Sequence, residues 1–102
     1  MSDFVTVGPG DEIDDGGVMA YEVEGRQIAV ARVGGTLYAF MDICTHRQCT
    51  LSPGELDGTE IECECHGSVF DIATGAVVNG PATEPIATFD VREEDGNVQV
   101  SV

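Results

Sequence analysis

The sequence predicts an all-β fold, and three observations carry that prediction. Short runs alternating apolar and polar residues recur along the chain, turn signals separate them, and no segment sustains a 3.6-residue apolar period over ten residues. The runs fall at 4–7, 18–23, 28–33, 36–41, 60–63, 86–91 and 98–102. In each, alternation sends every second side chain to the same face, which suits a strand with one buried side. Between them stand Glu24-Gly25, Gly34-Gly35, Asp57-Gly58, Thr74-Gly75, Gly80-Pro81 and Asp95-Gly96-Asn97. Glycine supplies the turn conformations there, and proline withdraws a ladder donor. The spacing predicts antiparallel hairpins closing into a small sandwich or barrel. Gly8-Pro9-Gly10 followed by the acids of 11–17 predicts a loop with room for one helical turn.

A chain of 102 residues has room for one domain, expected over 1–102, whose folding removes roughly 60–70% of the extended surface from water. No internal repeat, low-complexity tract or linker argues for a second. Six aromatics and no Trp give little large-area anchoring, so a prosthetic group or cross-link would help such a core. The stretch from 42 to about 82 differs in kind, because it holds every Cys and both His. It reads as a small subdomain set into the β framework.

Nineteen acids stand against four arginines and no lysine, for a formal net charge of -15. A polyanion would be repelled by such a chain, which excludes nucleic acid as a partner. Two readings of the charge stay open: steering toward a basic partner, weakened by salt, or simple solubility and adaptation to a salty interior. Met1-Ser2-Asp3-Phe4 lacks the basic start of a secretory signal, and the longest clear apolar stretch, Ile28-Ala29-Val30-Ala31, is far short of a span. A cytoplasmic protein without a membrane anchor is expected.

The chemistry lies in Cys44-Thr45-His46, Cys49 and Cys63-Glu64-Cys65-His66. Read as pairs, C-x-H and C-x-x-H each offer one thiolate and one imidazole, so four ligands can converge. Zinc accepts two Cys and two His. Its usual fingers and ribbons, however, pair like with like, and they leave no two cysteines over. A binuclear iron centre explains mixed pairs better, with Cys44 and Cys63 on one iron and His46 and His66 on the other.

The segments Cys44-Thr45-His46-Arg47-Gln48-Cys49 and Cys63-Glu64-Cys65-His66-Gly67-Ser68-Val69-Phe70-Asp71 closely resemble the two cluster-binding boxes of Rieske proteins. Phe70-Asp71-Ile72-Ala73-Thr74-Gly75 is similar to the family's F-D-x-x-T-G segment. Gly80-Pro81-Ala82 with Pro85 resembles the proline loop over the cluster. The resemblance runs from about residue 43 to 89. It implies a Rieske-like β sandwich or barrel, a cluster-binding subdomain near 42–82, and one [2Fe-2S] cluster held by Cys44, His46, Cys63 and His66.

With two ferric ions, two sulfides, two thiolates and neutral imidazoles, the oxidised site sums to zero charge, and reduction adds one electron. The histidine-bound iron is the easier to reduce, which places the family at roughly -150 to +300 mV. The resemblance puts His46 and His66 at the outer, exchanging edge. It puts Ser68 where a hydroxyl donates to a bridging sulfide, and Phe70 where high-potential members often carry a Tyr. Ser68 as a plain turn residue and Phe70 as a core aromatic are the other readings. One donor kept and one lost, with the large negative charge, imply a potential below the respiratory type. Cys49 and Cys65 match the extra cysteines that form a loop-clamping disulfide in respiratory members, with two buried thiols as the alternative. Arg47, Gln48 and the acids Glu55, Asp57, Glu60, Glu62 and Glu64 are partner contacts or solvated loop residues.

The lack of an anchor argues against the respiratory type, and the lack of a catalytic domain argues against an oxygenase subunit. What the resemblance implies is the ferredoxin of a multicomponent Rieske oxygenase system, an electron carrier without catalytic residues of its own. A flavin-dependent NAD(P)H reductase would supply the electron, and a terminal ring-hydroxylating-type oxygenase would receive it. The small subunit of an assimilatory nitrite reductase is the alternative, and a zinc-stabilised β adaptor is the reading from another class.

Overall fold

The structure is a computed structural model, and it describes residues 4–44, 49–65, 67–80 and 82–101. Among the described residues ten strands follow in chain order: β1 Phe4–Pro9, β2 Val18–Val23, β3 Arg26–Val33, β4 Thr36–Met41, β5 Glu55–Asp57, β6 Glu60–Glu62, β7 Val69–Asp71, β8 Val77–Asn79, β9 Thr88–Glu94 and β10 Asn97–Ser101. One 3₁₀ turn, Gly10–Glu12, forms the helical element of the acidic loop. Six strands make an antiparallel sheet in the order β1-β10-β9-β4-β3-β2, curled into a nearly closed barrel. The other four make a smaller sheet, β5-β6-β7-β8.

The alternation in β3 explains how the two sheets share one wall. Ile28 and Val30 point into the barrel against Ala39, Val98 and Val100. Ala29 and Ala31 point the other way, beneath Phe40, Leu51, Ile61 and Phe70 of the second core. All four β3 residues are fully buried, because the sheet is covered on both faces there. The run of apolar residues that stands out in the sequence is thus a strand between two cores. Alanine on the outer side lets the small sheet sit close, and Phe40 fills the space beside it.

Three two-residue turns close the framework hairpins, and the non-glycine residues Glu24 (φ 51°) and Asp95 (φ 54°) each precede a glycine in their turn. This left-handed geometry matches the twist of the flanking strands. The acidic loop is held by Arg32, whose Nε donates to the Ile13 carbonyl at 2.9 Å and whose Nη2 donates to Gly10 O at 3.0 Å and Glu93 Oε1 at 3.3 Å. Tyr21 of β2 donates its hydroxyl to Glu12 at 2.5 Å across the sheet's open edge. Burial first, then the bond to Glu12 and its charge, raise the Tyr21 hydroxyl far above the ordinary tyrosine range.

Five elements depart from the pattern. The strands β5, β7 and β8 are three residues each, too short for a period to register. The run at 60–63 loses its last residue, because the Cys63 amide donates to Ser68 O and turns into a loop. The run at 86–91 becomes a strand only from Thr88: Ile86 is drawn into the second core, and its amide donates to Gly75 O.

Candidate metal centre

Two loops and one returning segment meet over the second core. The first loop leaves β4 at Met41 and reaches β5 at Glu55; the second joins β6 to β7; the third runs from β8 to β9. Cys44 of the first and Cys63 of the second are 0% and 1% exposed, and both belong to the core that contains Leu51, Ile61, Phe70, Ile72, Ala82 and Ile86. Local backbone bonds fix each cysteine. Cys44 N donates to Cys49 O at 2.7 Å. Cys63 N donates to Ser68 O at 2.8 Å, and Gly67 N returns a bond to Cys63 O at 3.0 Å.

Cys49 and Cys65 are joined as a disulfide, with Cα atoms 6.5 Å apart. Their sulfurs and that of Cys63 lie within 4.8 Å of one another. The covalent bridge therefore ties the two loops together right beside a buried Cys outside it. The expected histidine ligands His46 and His66 lie outside the described residues, as do Arg47, Gln48 and Pro81.

The donors present suit a sulfur-rich iron group. Two buried cysteines from separate loops face one core, where soft thiolates favour iron–sulfur or zinc chemistry over hard cations. Ser68 is one of two buried polar residues among those described. Its hydroxyl oxygen accepts the Ala82 N–H at 3.1 Å, which ties the returning segment to the second loop. An oxygen used as acceptor keeps its own O–H to donate, so a fully buried donor remains available at the centre. Phe70 is fully buried against the same core, and its neighbour across the strand pair is Ile61.

Asp42 is the other buried polar residue, at 2% exposure. Its Oδ1 accepts the Leu51 and Ser52 amides at 3.0 and 2.6 Å, and its Oδ2 accepts the Ser52 hydroxyl at 2.8 Å. Sequence reading marked Asp42 only as a boundary. The signal is an acid placed between the apolar end of β4 and Cys44, where an unpaired carboxylate would be costly to bury.

An open depression of about 540 Å³ lies beside Cys63, lined by Pro53, Gly54, Glu55, Glu62, Glu64 and Gly67. On the strands next to it, Glu55 stands opposite Glu62, Asp57 opposite Glu60, and Glu60 opposite Asp71. Directly opposed residues of antiparallel strands share a face, so these five carboxylates occupy one side of the small sheet.

Comparison with known proteins places the chain. The model of the Rieske [2Fe-2S] domain family matches residues 3–90. The ferredoxin component of a naphthalene 1,2-dioxygenase system from Pseudomonas aeruginosa is 38% identical over 91 residues, covering 89% of this chain and 88% of that protein. The ferredoxin of carbazole 1,9a-dioxygenase from Nocardioides aromaticivorans IC177 superposes with a TM-score of 0.92 at 32% identity, covering 97% of each chain. A chain in a complex of reduced oxygenase and oxidised ferredoxin of carbazole 1,9a-dioxygenase gives a TM-score of 0.90 at 35% identity, covering 99% of this chain and 94% of the other. On sequence and on fold alike, this chain belongs to the Rieske [2Fe-2S] domain family.

Proposed function

We propose that this chain is the ferredoxin of a multicomponent dioxygenase system, carrying one electron at a time from a flavin-dependent NAD(P)H reductase to a terminal ring-hydroxylating-type oxygenase in the cytoplasm. The observation that carries this reading is that buried Cys44 and Cys63, on two bridged loops, belong to one core, in a chain similar to ferredoxin components of dioxygenase systems. The relatives' names favour this role over that of a nitrite reductase subunit. When bound, the [2Fe-2S] cluster supplies one-electron redox chemistry.

The chain's residues do the rest. In this reading Cys44 and Cys63 would hold one iron, and His46 and His66 would hold the other. Ser68 would donate a hydrogen bond from its hydroxyl to a sulfur of the centre, which would favour the reduced state. Phe70, without a hydroxyl, gives nothing there, so the potential lies below that of the respiratory type. The Cys49–Cys65 bridge limits how far the two loops can separate as the charge changes.

The carboxylates of Glu55, Asp57, Glu60, Glu62 and Asp71 are the docking face for basic partner surfaces. Like charges set directly opposite one another weaken a strand pair, and their persistence here supports a use outside the fold. The test is electron transfer followed by stopped-flow absorbance, from an NAD(P)H-driven flavin reductase to this protein and onward to a terminal oxygenase. Both steps are expected, and the bimolecular rates are expected to fall by roughly tenfold or more between low and moderate salt, as for steered association. Absence of both transfers, together with co-purification with a sirohaem subunit, would overturn the reading in favour of nitrite reduction.

A further inference from the structure

We infer that Asp42 is a positioning residue for the electron-exchanging centre: its carboxylate sets the distance between the two ligand loops and places a fixed negative charge beside Cys44. The inference rests on the proposed cluster site and deepens it.

Asp42 stands two residues before Cys44, and its backbone is itself anchored, since its amide donates to Gln27 O at 2.9 Å. From that fixed point the side chain holds the turn at Leu51–Gly54, taking both leading amides and the Ser52 hydroxyl. The turn closes on itself through Gly54 N to Leu51 O at 2.8 Å. Its far corner meets the other loop. A Cβ placed on Gly54 would stand 2.0 Å from the backbone carbonyl oxygen of Glu62, the residue that precedes Cys63. A continuous line of short contacts therefore runs from Asp42 through the turn and Gly54 to Glu62, with Cys44 and Cys63 as neighbours of its two ends. The disulfide sits at other residues, so this is a second and separate tie between the loops.

The charge follows from the same geometry. Both carboxylate oxygens accept hydrogen bonds from N–H or O–H donors. The depression in which Asp42 lies is lined by Ala20, Tyr21, Glu22, Gln27, Thr50 and Ser52, with no basic residue among the described lining. A buried charge is screened less by water and salt than an exposed one, and a negative one opposes addition of an electron nearby.

Two substitutions separate spacing from charge. In Asp42→Asn the amide oxygen can still accept the Leu51 and Ser52 amides, while its NH2 donates to the Ser52 hydroxyl, so the tie survives and the charge goes. In Asp42→Ala both go. Amide hydrogen exchange at Ser52, read by residue-resolved mass spectrometry on the protein as purified, is expected to be unchanged in Asp42→Asn and accelerated about tenfold or more in Asp42→Ala, while the Leu51 amide keeps a second acceptor, the Asp42 backbone carbonyl at 3.4 Å, in both variants. In the loaded protein, the midpoint potential of Asp42→Asn is expected to rise, and Asp42→Ala is expected to lose its cluster faster than either other form.

Unchanged exchange in Asp42→Ala would overturn the positioning role, and an unshifted potential in Asp42→Asn would overturn the charge role. If Asp42→Ala fails to fold, Ser52→Ala takes its place in the exchange measurement, with the backbone amide at position 52 expected to exchange faster and an unchanged rate counting against the tie. A wild-type chain that takes up no iron and sulfide sinks the cluster reading alone, because the exchange experiment still decides the tie.

Discussion

Cys63→Ser is expected to yield a protein that keeps its strands and loses its iron and sulfide entirely. A serine hydroxyl is a hard, weakly acidic ligand, whereas these clusters are held by thiolates. Among the described residues no neighbour can take over, since the two sulfurs within 4.8 Å of Cys63 belong to Cys49 and Cys65 and are bonded to each other. The framework barely depends on this side chain, because the barrel core is built from Ile28, Val30, Ala39, Val98 and Val100. Far-ultraviolet circular dichroism should therefore stay close to wild type while iron, sulfide and visible absorption vanish together. A Cys63→Ser protein with full iron content would show that Cys63 is not a ligand.

Gly75→Ala is expected to cost about 2–5 kcal/mol of folding stability, the sum of two effects of known size. Gly75 has φ +85°, where an L residue loses roughly 1–2 kcal/mol. Its Cβ would also stand 2.1 Å from the Ile86 carbonyl oxygen, and forcing such overlap adds about 1–3 kcal/mol. The contact cannot simply open. Gly75 O accepts the Ile86 amide at 2.9 Å, and Gly75 N donates to Asp71 O at 2.6 Å. This is where the β7–β8 hairpin is fastened to the segment carrying Ala82 to its bond with Ser68. Gly16→Ala is the control: Gly16 has φ +83° but nothing within 4 Å of its Cβ position, so only the conformational part applies. Urea denaturation of the two variants should separate them by at least about 1 kcal/mol. Equal losses would mean that the approach of Gly75 to Ile86 does not matter.

The framework was legible because its strands are long enough to show a period and end in turns with their own chemistry. β2, β3 and β4 and their Gly25 and Gly34-Gly35 turns are the clearest cases. The strands of the small sheet were mostly not legible. β5, β7 and β8 have three residues each, and their pairing follows from the loops they join more than from any preference of their own.

The centre divides in the same way. The cysteines and histidines announce a metal by residue type and spacing. Asp42, Ser52 and Gly54 do not, because each meets the loops of Cys44 and Cys63 through groups distant in sequence. An acid ten residues before a serine carries no pattern until the chain is folded. Gly54 has no positive φ to mark it; what demands glycine there is the carbonyl of Glu62 against its Cα.

The central claim is one cluster and one electron, and the visible absorption spectrum followed through a reductive titration tests it most directly. The expected result is a red-brown protein containing two irons and two sulfides per chain, whose charge-transfer bands bleach to their end point after a single electron. A colourless protein that contains zinc, with no bands to bleach, would contradict it.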